Sequence, residues 1–478
     1  MKRDARGAAA GRLPMATILA FSAANLPIAA LSVAVFVYLP PYFAGHLAVP
    51  MATVGGVWMG VRLFDIPVDV GLAMLMDRTR TPLGRYRFWL LVGAPILSLA
   101  LYKLYMAPHG FGWPFLTVWL LVLYLAMSIV ILAGSAWGAT LATLYHERSR
   151  LFGVQTAVGV FGAVAVLLIP VVGGSLHADN ASSVQAMGWA MAILVPIGVT
   201  ITAVFTPERI ARDVAPSRGI DWREVWAVLS KPDLLRLFLA QSSLTLGPGW
   251  MSGLYIFFFT QGRGYSVEQA SLLLAVYILA GVPGALGAAN LAKRIGKHRT
   301  LMVSTSAYSL GLFTVLIPAQ GNMLLGLFTM TWCGAMASSF GLMIQAMLAD
   351  VGDEVRLEQG KERISLVYAL NGLATKIAGA LSIGLSFPLL ALLGFHATEG
   401  VSNTPQAILR LTWAFVAGPI VFVMLGGACV VGWRMDARRQ REIREALDAR
   451  DAAAAPSASV PSARNIDFVE VEVDISHV

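Results

Sequence analysis

Twelve apolar stretches, each of about 20 residues or more, recur along the chain and are separated by polar segments. A helix that crosses the hydrocarbon core of a bilayer needs about 20 apolar residues. The pattern therefore predicts an all-α integral membrane protein with twelve transmembrane helices. The stretches cover residues 15–43, 50–76, 88–107, 113–144, 152–176, 186–206, 234–261, 267–291, 300–318, 322–349, 364–395 and 408–433.

The composition excludes several classes of protein. Hydrophobic residues make up 57% of the 478 residues and charged residues only 13%, against about 25% charged residues in a soluble domain. None of the seven histidines lies in the middle of an apolar stretch. The stretches hold no nucleophile–base pair and no cluster of metal ligands, so we do not expect an enzyme. Cys333 and Cys429 both lie in apolar stretches and suggest no disulfide framework.

The basic residues predict the orientation of the chain, because Lys and Arg accumulate on the cytoplasmic side. With both termini inside, thirty of the 35 basic residues are cytoplasmic. We read the net charge of +8 as loop charge rather than as a nucleic-acid surface. The predicted parts are a cytoplasmic N-terminus (1–14), a six-helix half (15–206), a central loop (207–233), a second six-helix half (234–433) and a cytoplasmic tail (434–478).

Two short motifs suggest that the halves are copies of one unit. Gly84-Arg85-Tyr86-Arg87 follows the second stretch, and Gly296-Lys297-His298-Arg299 follows the eighth, 212 residues later. Both read Gly-basic-x-Arg in a loop between adjacent stretches. Parallel repeats of six helices are a feature of some transporter folds. In the tail, we expect a surface helix up to about residue 454 and disorder in 455–478.

Four charges lie where a bilayer disfavours them. Asp65 and Asp69 stand in the middle of the second stretch with Arg62, and Lys376 stands in the eleventh. An ionised Asp at the bilayer centre costs about 2.5–3.5 kcal/mol on insertion scales. The spacing i, i+3, i+7 places Arg62, Asp65 and Asp69 on one helix face. Two interpretations remain open: ion pairs that lock helices two and eleven together, or a site that binds a cation.

These residues also carry a family resemblance. The stretch Arg62-Leu-Phe-Asp65-Ile-Pro-Val-Asp69-Val-Gly71, with the segment from Asp77 to Arg87, resembles the helix-two signature of the glycoside–pentoside–hexuronide:cation symporters. These are the melibiose-permease relatives within the major facilitator superfamily. Further segments that resemble the family are 147–151, 350–353, 360–363 and 371–376. The resemblance implies the major facilitator superfamily fold.

The resemblance also implies a function. Asp65 and Asp69 would bind the coupling cation, Ser128 would add a hydroxyl, and Arg62 and Lys376 would take part in coupling. The expected activity is cation-coupled symport of a small organic solute, a sugar, glycoside or uronate, by alternating access. Lysolipid symporters share the same skeleton, so a lysolipid or other amphiphile is the alternative solute. A scaffold or sensor that transports nothing is a further alternative, against which the helix-two carboxylates argue.

Departures from the family pattern concern the solute and the cation. Asn25 and Ile131 stand where sugar-binding members carry an Asp, and Gln155 stands where they carry an Arg. Since a carboxylate discriminates strongly among hydroxylated ligands, this argues against melibiose-like recognition. Val68 replaces an amide oxygen, which favours H⁺ over Na⁺ without excluding Na⁺. Asp65 and Asp69 are metal ligands only if the cation is Na⁺, and no cofactor is expected.

The remaining expectations concern solute contacts, gating and surroundings. The candidate solute-binding residues are Asn25, Gln155, Trp137, Asn371 and Thr375; for each, interhelical hydrogen bonding or packing is the alternative. The candidate gating residues are Asp77, Arg78, Gly84, Arg85, Arg87, Arg148, Arg294, Arg299 and Arg363. The expected partners are the small-molecule solute and the lipid bilayer, with no nucleic acid. We expect a monomer in the inner membrane of a bacterium.

Overall fold

The structure is a computed structural model that describes residues 13–142, 145–175, 180–211, 222–317, 322–359, 364–435, 437–454 and 468–470. The chain divides into two compact units. The first comprises Met1–Pro216, Ala397–Glu399 and Ile466–Val478, and the second comprises Ser217–His396 and Gly400–Asn465. Helices make up nearly all of the described chain.

The first unit contains six long helices. Their bounds are α1 (Met15–Gly45), α2 (Met51–Arg78), α3 (Arg85–Tyr105), α4 (Trp113–Leu141), α5 (Tyr145–Ser175) and α6 (Asn180–Phe205). The first of these is not regular. Helical segments Met15–Ser22 and Asn25–Val33 are followed by a π-helical turn, Ala34–Tyr38, and by Leu39–Gly45. Pro27 has no backbone N–H, so it cannot bond the carbonyl one turn earlier, and α1 breaks at that point.

The second unit repeats this arrangement after a short helix, α7 (Trp222–Leu229). Its long helices are α8 (Pro232–Phe257), α9 (Val267–Ile295), α10 (Lys297–Phe313), α11 (Met323–Gln359), α12 (Ile364–Leu392) and α13 (Pro405–Ala428). In the first unit, α1 packs on α5 and α6, α3 packs on α4 and α6, and α2 packs on α4. The corresponding pairs pack in the second unit: α8 on α12 and α13, α10 on α11 and α13, and α9 on α11.

Nine helices in the described ranges are long and apolar enough to cross a membrane. The other three long helices have local reasons to look different. Helix α2 carries Arg62, Asp65 and Asp69, and α8 carries Gln241 and several hydroxyl residues. Helix α10 has only 17 residues before a 3₁₀ turn at Thr314–Leu316. The twelve long helices, six in each unit, agree with the number and division that the sequence predicts.

The central loop and the tail hold more regular structure than the sequence indicates. Helix α7 and a strand, β1 (Arg209–Ala211), lie within the predicted loop 207–233. A second strand, β2 (Phe468–Glu470), pairs antiparallel with β1. The expectation of disorder in 455–478 is therefore not met at β2, and the rest of that segment lies outside the described residues. Pairing with a distant strand is a long-range contact that local composition does not reveal.

The charged helix expected after residue 434 is present as α14 (Ala437–Ala454). It packs on the end of α11 within the second unit. Arg444 lies 3.5 Å from Asp353 and Arg439 lies 3.7 Å from Glu354. Ile443 is 1% exposed, so the helix buries an apolar contact beneath its ion pairs.

Candidate functional site

The three charged residues in the middle of α2 face the interior of the first unit. Asp65 is 4% exposed, and Arg62 and Asp69 are half-buried. Their neighbours Leu63 and Phe64 are 39% and 59% exposed. Charged side chains in a membrane turn towards the bundle or a cavity, and the burial of Asp65 beside exposed Leu63 and Phe64 agrees with this. The face lies where the spacing i, i+3, i+7 predicts it.

The hydroxyl of Ser128 lies directly against this face. Ser128 on α4 donates a hydrogen bond from Oγ to Asp65 Oδ1 over 3.0 Å, and both side chains are buried. A serine in a helix often bonds a carbonyl of its own helix, but this hydroxyl bonds a carboxylate of α2. Carboxylate and hydroxyl oxygens are ligands that hard cations prefer. The structure thus brings together two of the three residues that the sequence predicts for a cation site.

Arg62 contacts aromatic rings rather than lipid. Its Cζ atom lies 4.7 Å from the ring centroid of Tyr124 on α4 and 5.2 Å from that of Phe36 on α1. Tyr124 is fully buried. Both distances are within the range of a cation–π interaction. Neither Phe36 nor Tyr124 is predicted from the sequence, because an aromatic residue in an apolar stretch looks like ordinary packing.

The charge balance on α2 limits what the site can bind. Asp65 and Asp69 carry two negative charges and Arg62 one positive charge, which leaves one negative charge. A monovalent cation or a single proton neutralises it. No group of three or more His, Cys, Asp or Glu in the described ranges is arranged to hold a metal ion. A bound Na⁺ would therefore rely on two carboxylates and the Ser128 hydroxyl.

A cavity of about 260 Å³ lies in the same unit. It is bordered by α1, α4 and α5, with contributions from α3 and α6. Its lining includes Asn25 and Gln155, two of the predicted solute contacts, and Ile131, which stands in place of a family carboxylate. The described lining carries polar groups but no formal charge. The cavity can therefore hydrogen-bond a small polar molecule while it packs against an apolar face.

The break in α1 shapes one wall of this cavity. Thr202 on α6 accepts a hydrogen bond from the Ala24 backbone N–H over 3.2 Å and donates to the Ala20 carbonyl over 2.9 Å. The first of these bonds supplies an acceptor for a backbone N–H at the interruption of the helix. Asn25 follows the break and donates from Nδ2 to the Gln155 carbonyl over 2.7 Å. Its carbonyl oxygen and its second N–H are left to meet a solute.

The prediction that Trp137 contacts solute is not supported by its position. Trp137 is fully buried and does not line the cavity. Its ring packs edge-on against Phe21 at 5.8 Å, and its Nε1 donates to the Pro207 carbonyl over 3.3 Å. The Arg87 guanidinium lies 5.8 Å from the same ring. Trp137 is a packing residue here, which is the alternative that applies to most tryptophans in such chains.

The predicted residues of the second unit lie together on α12. Asn371 is 8% exposed, and its Oδ1 has no hydrogen-bond partner among the described residues. Thr375 donates from Oγ1 to the Asn371 backbone carbonyl over 3.0 Å, so its hydroxyl is engaged by its own helix. Lys376 follows directly and is half-buried. The buried amide of Asn371 is thus the stronger candidate of the two for a polar contact.

The gating candidates of the first unit surround the Gly84 turn. Arg85 lies 3.8 Å from Asp77, and Arg87 donates to the Thr206 carbonyl over 2.9 Å. Glu208, which is not predicted from the sequence, accepts from the backbone N–H of residues 86 and 87 over 2.8 and 3.1 Å. It caps the start of α3 with a carboxylate, where the helix dipole favours negative charge. The only sign of this residue in the sequence is that it is an acidic residue just after the sixth apolar stretch.

In the motif Gly296-Lys297-His298-Arg299 of the second unit, Lys297 forms an ion pair. Lys297 places Nζ 2.6 and 2.8 Å from the two carboxylate oxygens of Asp350 on α11. The predicted Arg294 and Arg299 are exposed instead. In the first unit Arg148 donates to the Ala139 carbonyl over 3.2 Å. Arg78 is exposed, and Arg363 lies outside the described residues.

A family comparison decides the identity of the fold. The family model described as MFS/sugar transport protein matches residues 20–436. The chain belongs to this family. This agrees with the resemblance to the glycoside–pentoside–hexuronide:cation symporters and with an integral membrane transporter.

Similar proteins include two that are named as symporters. One is "Uncharacterized symporter YnaJ" of Bacillus subtilis. It is 22% identical to this chain over 87% of this chain and 90% of its own length. The human "Sodium-dependent lysophosphatidylcholine symporter 1" is 23% identical over 83% of this chain and 79% of the relative. A solved point mutant of the nucleoside transporter NupG is 13% identical, with a TM-score of 0.67 over 86% of this chain and 99% of that one. That last likeness concerns the fold alone.

Proposed function

We propose that this member of the MFS/sugar transport protein family is a cation-coupled symporter that carries a small organic solute by alternating access. The observation that carries the proposal is the Ser128–Asp65 hydrogen bond on the buried charged face of α2. Buried ion pairs alone seldom add net stability, so a purely structural role gives little reason to retain two carboxylates there. The names of the similar proteins support coupling to a cation.

In this proposal, Asp65, Asp69 and Ser128 load one H⁺ or Na⁺. Loading cancels the residual negative charge of the α2 face, and Lys376 responds to that change from the second half. Coupling is reciprocal, since a cation that raises the affinity for solute must itself bind more tightly when solute is present. One charge that moves through about 150 mV gives about 3.5 kcal/mol. This is enough for a few-hundredfold accumulation of solute.

The cavity of the first unit supports a proposal for the solute class. Small-molecule sites usually measure about 300–1,000 Å³, so a cavity of about 260 Å³ suits a small solute. Asn25, Gln155 and Thr156 can bond hydroxyl groups, and Phe21 and Phe152 can pack against a sugar face. A sugar, glycoside or uronate is the proposed cargo. Both termini are proposed to be cytoplasmic, and the protein is proposed to act as a monomer in a bacterial inner membrane.

A lysolipid or another amphiphile is the second candidate. Ile28, Leu90, Val130 and Ile131 make much of the cavity wall apolar, and the carboxylates with which related sugar carriers bind hydroxyls are replaced here. The human relative named as a lysophosphatidylcholine symporter is similar over 83% of this chain. This candidate predicts that an acylated solute binds better than its deacylated head group.

Uptake into proteoliposomes tests both candidates. The solutes are a hexose, a galactoside, a hexuronate and lysophosphatidylcholine, each offered with a Na⁺ gradient at fixed pH or with a pH gradient in Na⁺-free buffer. The wild type should accumulate one class of solute, and Asp65→Asn should equilibrate it without accumulation. Glu268→Gln, which removes a carboxylate from the end of α9, is the matched control and should accumulate normally. Full accumulation by Asp65→Asn would refute the assigned site.

A further inference from the structure

The guanidinium of Arg62 lies between residues of two different helices. Phe36 belongs to α1 and Tyr124 to α4, and both ring centroids are within 6 Å of the Arg62 Cζ atom, at 5.2 and 4.7 Å. The Nε atom of Arg62 is buried and has no hydrogen-bond partner among the described residues. The two aromatic rings therefore supply electrostatic contacts to the guanidinium.

Both aromatic residues are tied to elements that the proposed function already uses. Tyr124 lies one helical turn before Ser128 on α4, so a shift of α4 moves the ring and the hydroxyl together. Phe36 lies in the π-helical turn Ala34–Tyr38 of α1. Such turns are rare and occur often at functional sites. The same α1 carries Asn25 at the cavity wall.

We propose that Phe36 and Tyr124 form an aromatic clamp that fixes the Arg62 guanidinium and so sets the affinity of the α2 carboxylates for the coupling cation. The inference rests on the proposed function, because it assumes that Asp65 and Asp69 load a cation. Phe36 and Tyr124 are positioning residues that act through Arg62. The clamp also joins the cation site to the helix that lines the solute cavity.

The sign of the effect follows from charge. Arg62 is a permanent cation one turn from Asp65 and two turns from Asp69. Held by the rings, the guanidinium keeps one position while the carboxylates load and release their cation. Without the rings it is free to follow the carboxylates and compete with the cation for them. Loss of the clamp should therefore raise the cation concentration needed for half-maximal uptake and leave the rate at saturating cation nearly unchanged.

Phe36→Leu and Tyr124→Leu test the clamp in proteoliposomes. Each should raise the half-saturating cation concentration by roughly threefold to thirtyfold, the range expected for loss of a desolvated cation–π contact. Tyr124→Phe keeps the ring face and should stay within about twofold of wild type. The double Leu variant should show less than the product of the two single effects, because both rings hold one group. Tyr308→Leu, a fully buried tyrosine of the second unit, controls for lost packing.

A binding readout separates the clamp from the transport cycle. The shift in thermal unfolding temperature caused by adding the cation to purified protein should need more cation in both Leu variants than in wild type and Tyr124→Phe. An unchanged or lower half-saturating concentration in both folded Leu variants would overturn the clamp. If wild-type uptake and unfolding show no dependence on Na⁺ or pH, the proposed function fails, and that result is distinct from failure of the clamp.

Discussion

Helices α2 and α9 hold the same place in the two units, and in each unit a glycine of the same conformation begins the next helix. Gly84 has φ +103° and ψ 163° at the start of α3, and Gly296 has φ +91° and ψ 158° at the start of α10. Essentially only glycine adopts this region. Each helix also has an internal proline, although Pro283 stands four residues beyond the position that corresponds to Pro67. The repeat is thus preserved in the backbone, where it determines the packing of each half.

The side chains in the middle of these helices differ completely. Counted 212 residues on, Arg62, Asp65 and Asp69 correspond to Leu274, Tyr277 and Gly281. Between Glu268 and Lys293, α9 carries no charged residue. Tyr277 and Gly281 line a cavity of about 320 Å³ in the second unit. The comparison teaches that one copy of the repeat carries the charged residues proposed to bind the cation, whereas the other carries no charge at the corresponding positions.

The largest expected effect tests whether the second unit also contributes a charge. The formal charges of Arg62, Asp65, Asp69 and Lys376 add up to zero. Lys376→Ala leaves an extra negative charge, so the cation should be held without efficient release. We expect accumulation to fall from a few hundredfold towards one, a loss of about 3.5 kcal/mol of drive. Gradient-driven uptake in proteoliposomes measures it.

Lys376→Arg is the matched variant for this prediction. It keeps the charge with a different head group and should retain most of the accumulation. If Lys376→Ala accumulates solute as well as wild type with the same dependence on cation, the lysine is structural. In that case, the charged residues involved in coupling would all lie in the first unit.

The apolar pattern and the internal charges were enough to predict the fold and the α2 face. The periodicity of apolar residues indicates which side of a helix is buried. Because a charge in lipid is costly, charged residues on that side indicate a functional role. Glu208, the Lys297–Asp350 pair and the two rings around Arg62 could not be predicted. Each joins residues far apart in sequence, and neither a lone acidic residue nor a lone aromatic residue in or beside an apolar stretch identifies its partner.

A smaller effect separates the two glycine turns. A Cβ at Gly84 would overlap the Glu208 carboxylate, whereas the nearest atoms to a Cβ at Gly296 are those of the His298 ring, at 3.8 and 3.9 Å. Backbone strain costs about 1–3 kcal/mol in either turn, and Gly84→Ala should lose about 1 kcal/mol more as the cap of α3 is displaced. The unfolding temperature should therefore fall further for Gly84→Ala. Equal losses would mean that Glu208 moves aside without cost.

The smallest effect concerns how the two turns respond to salt. Glu208 is 2% exposed and bonds backbone N–H groups at a helix start, whereas the Lys297 side chain is 36% exposed in its pair with Asp350. Glu208→Gln should cost about 0.3–1 kcal/mol, with little dependence on salt because the carboxylate is buried. Asp350→Asn should cost up to about 1 kcal/mol at low salt and less at high salt, because exposed charges are screened. Unfolding temperatures of both variants, measured from low to high NaCl, test this difference. An equal salt dependence in the two variants would contradict it and would show that both turns depend on the same kind of electrostatic contact.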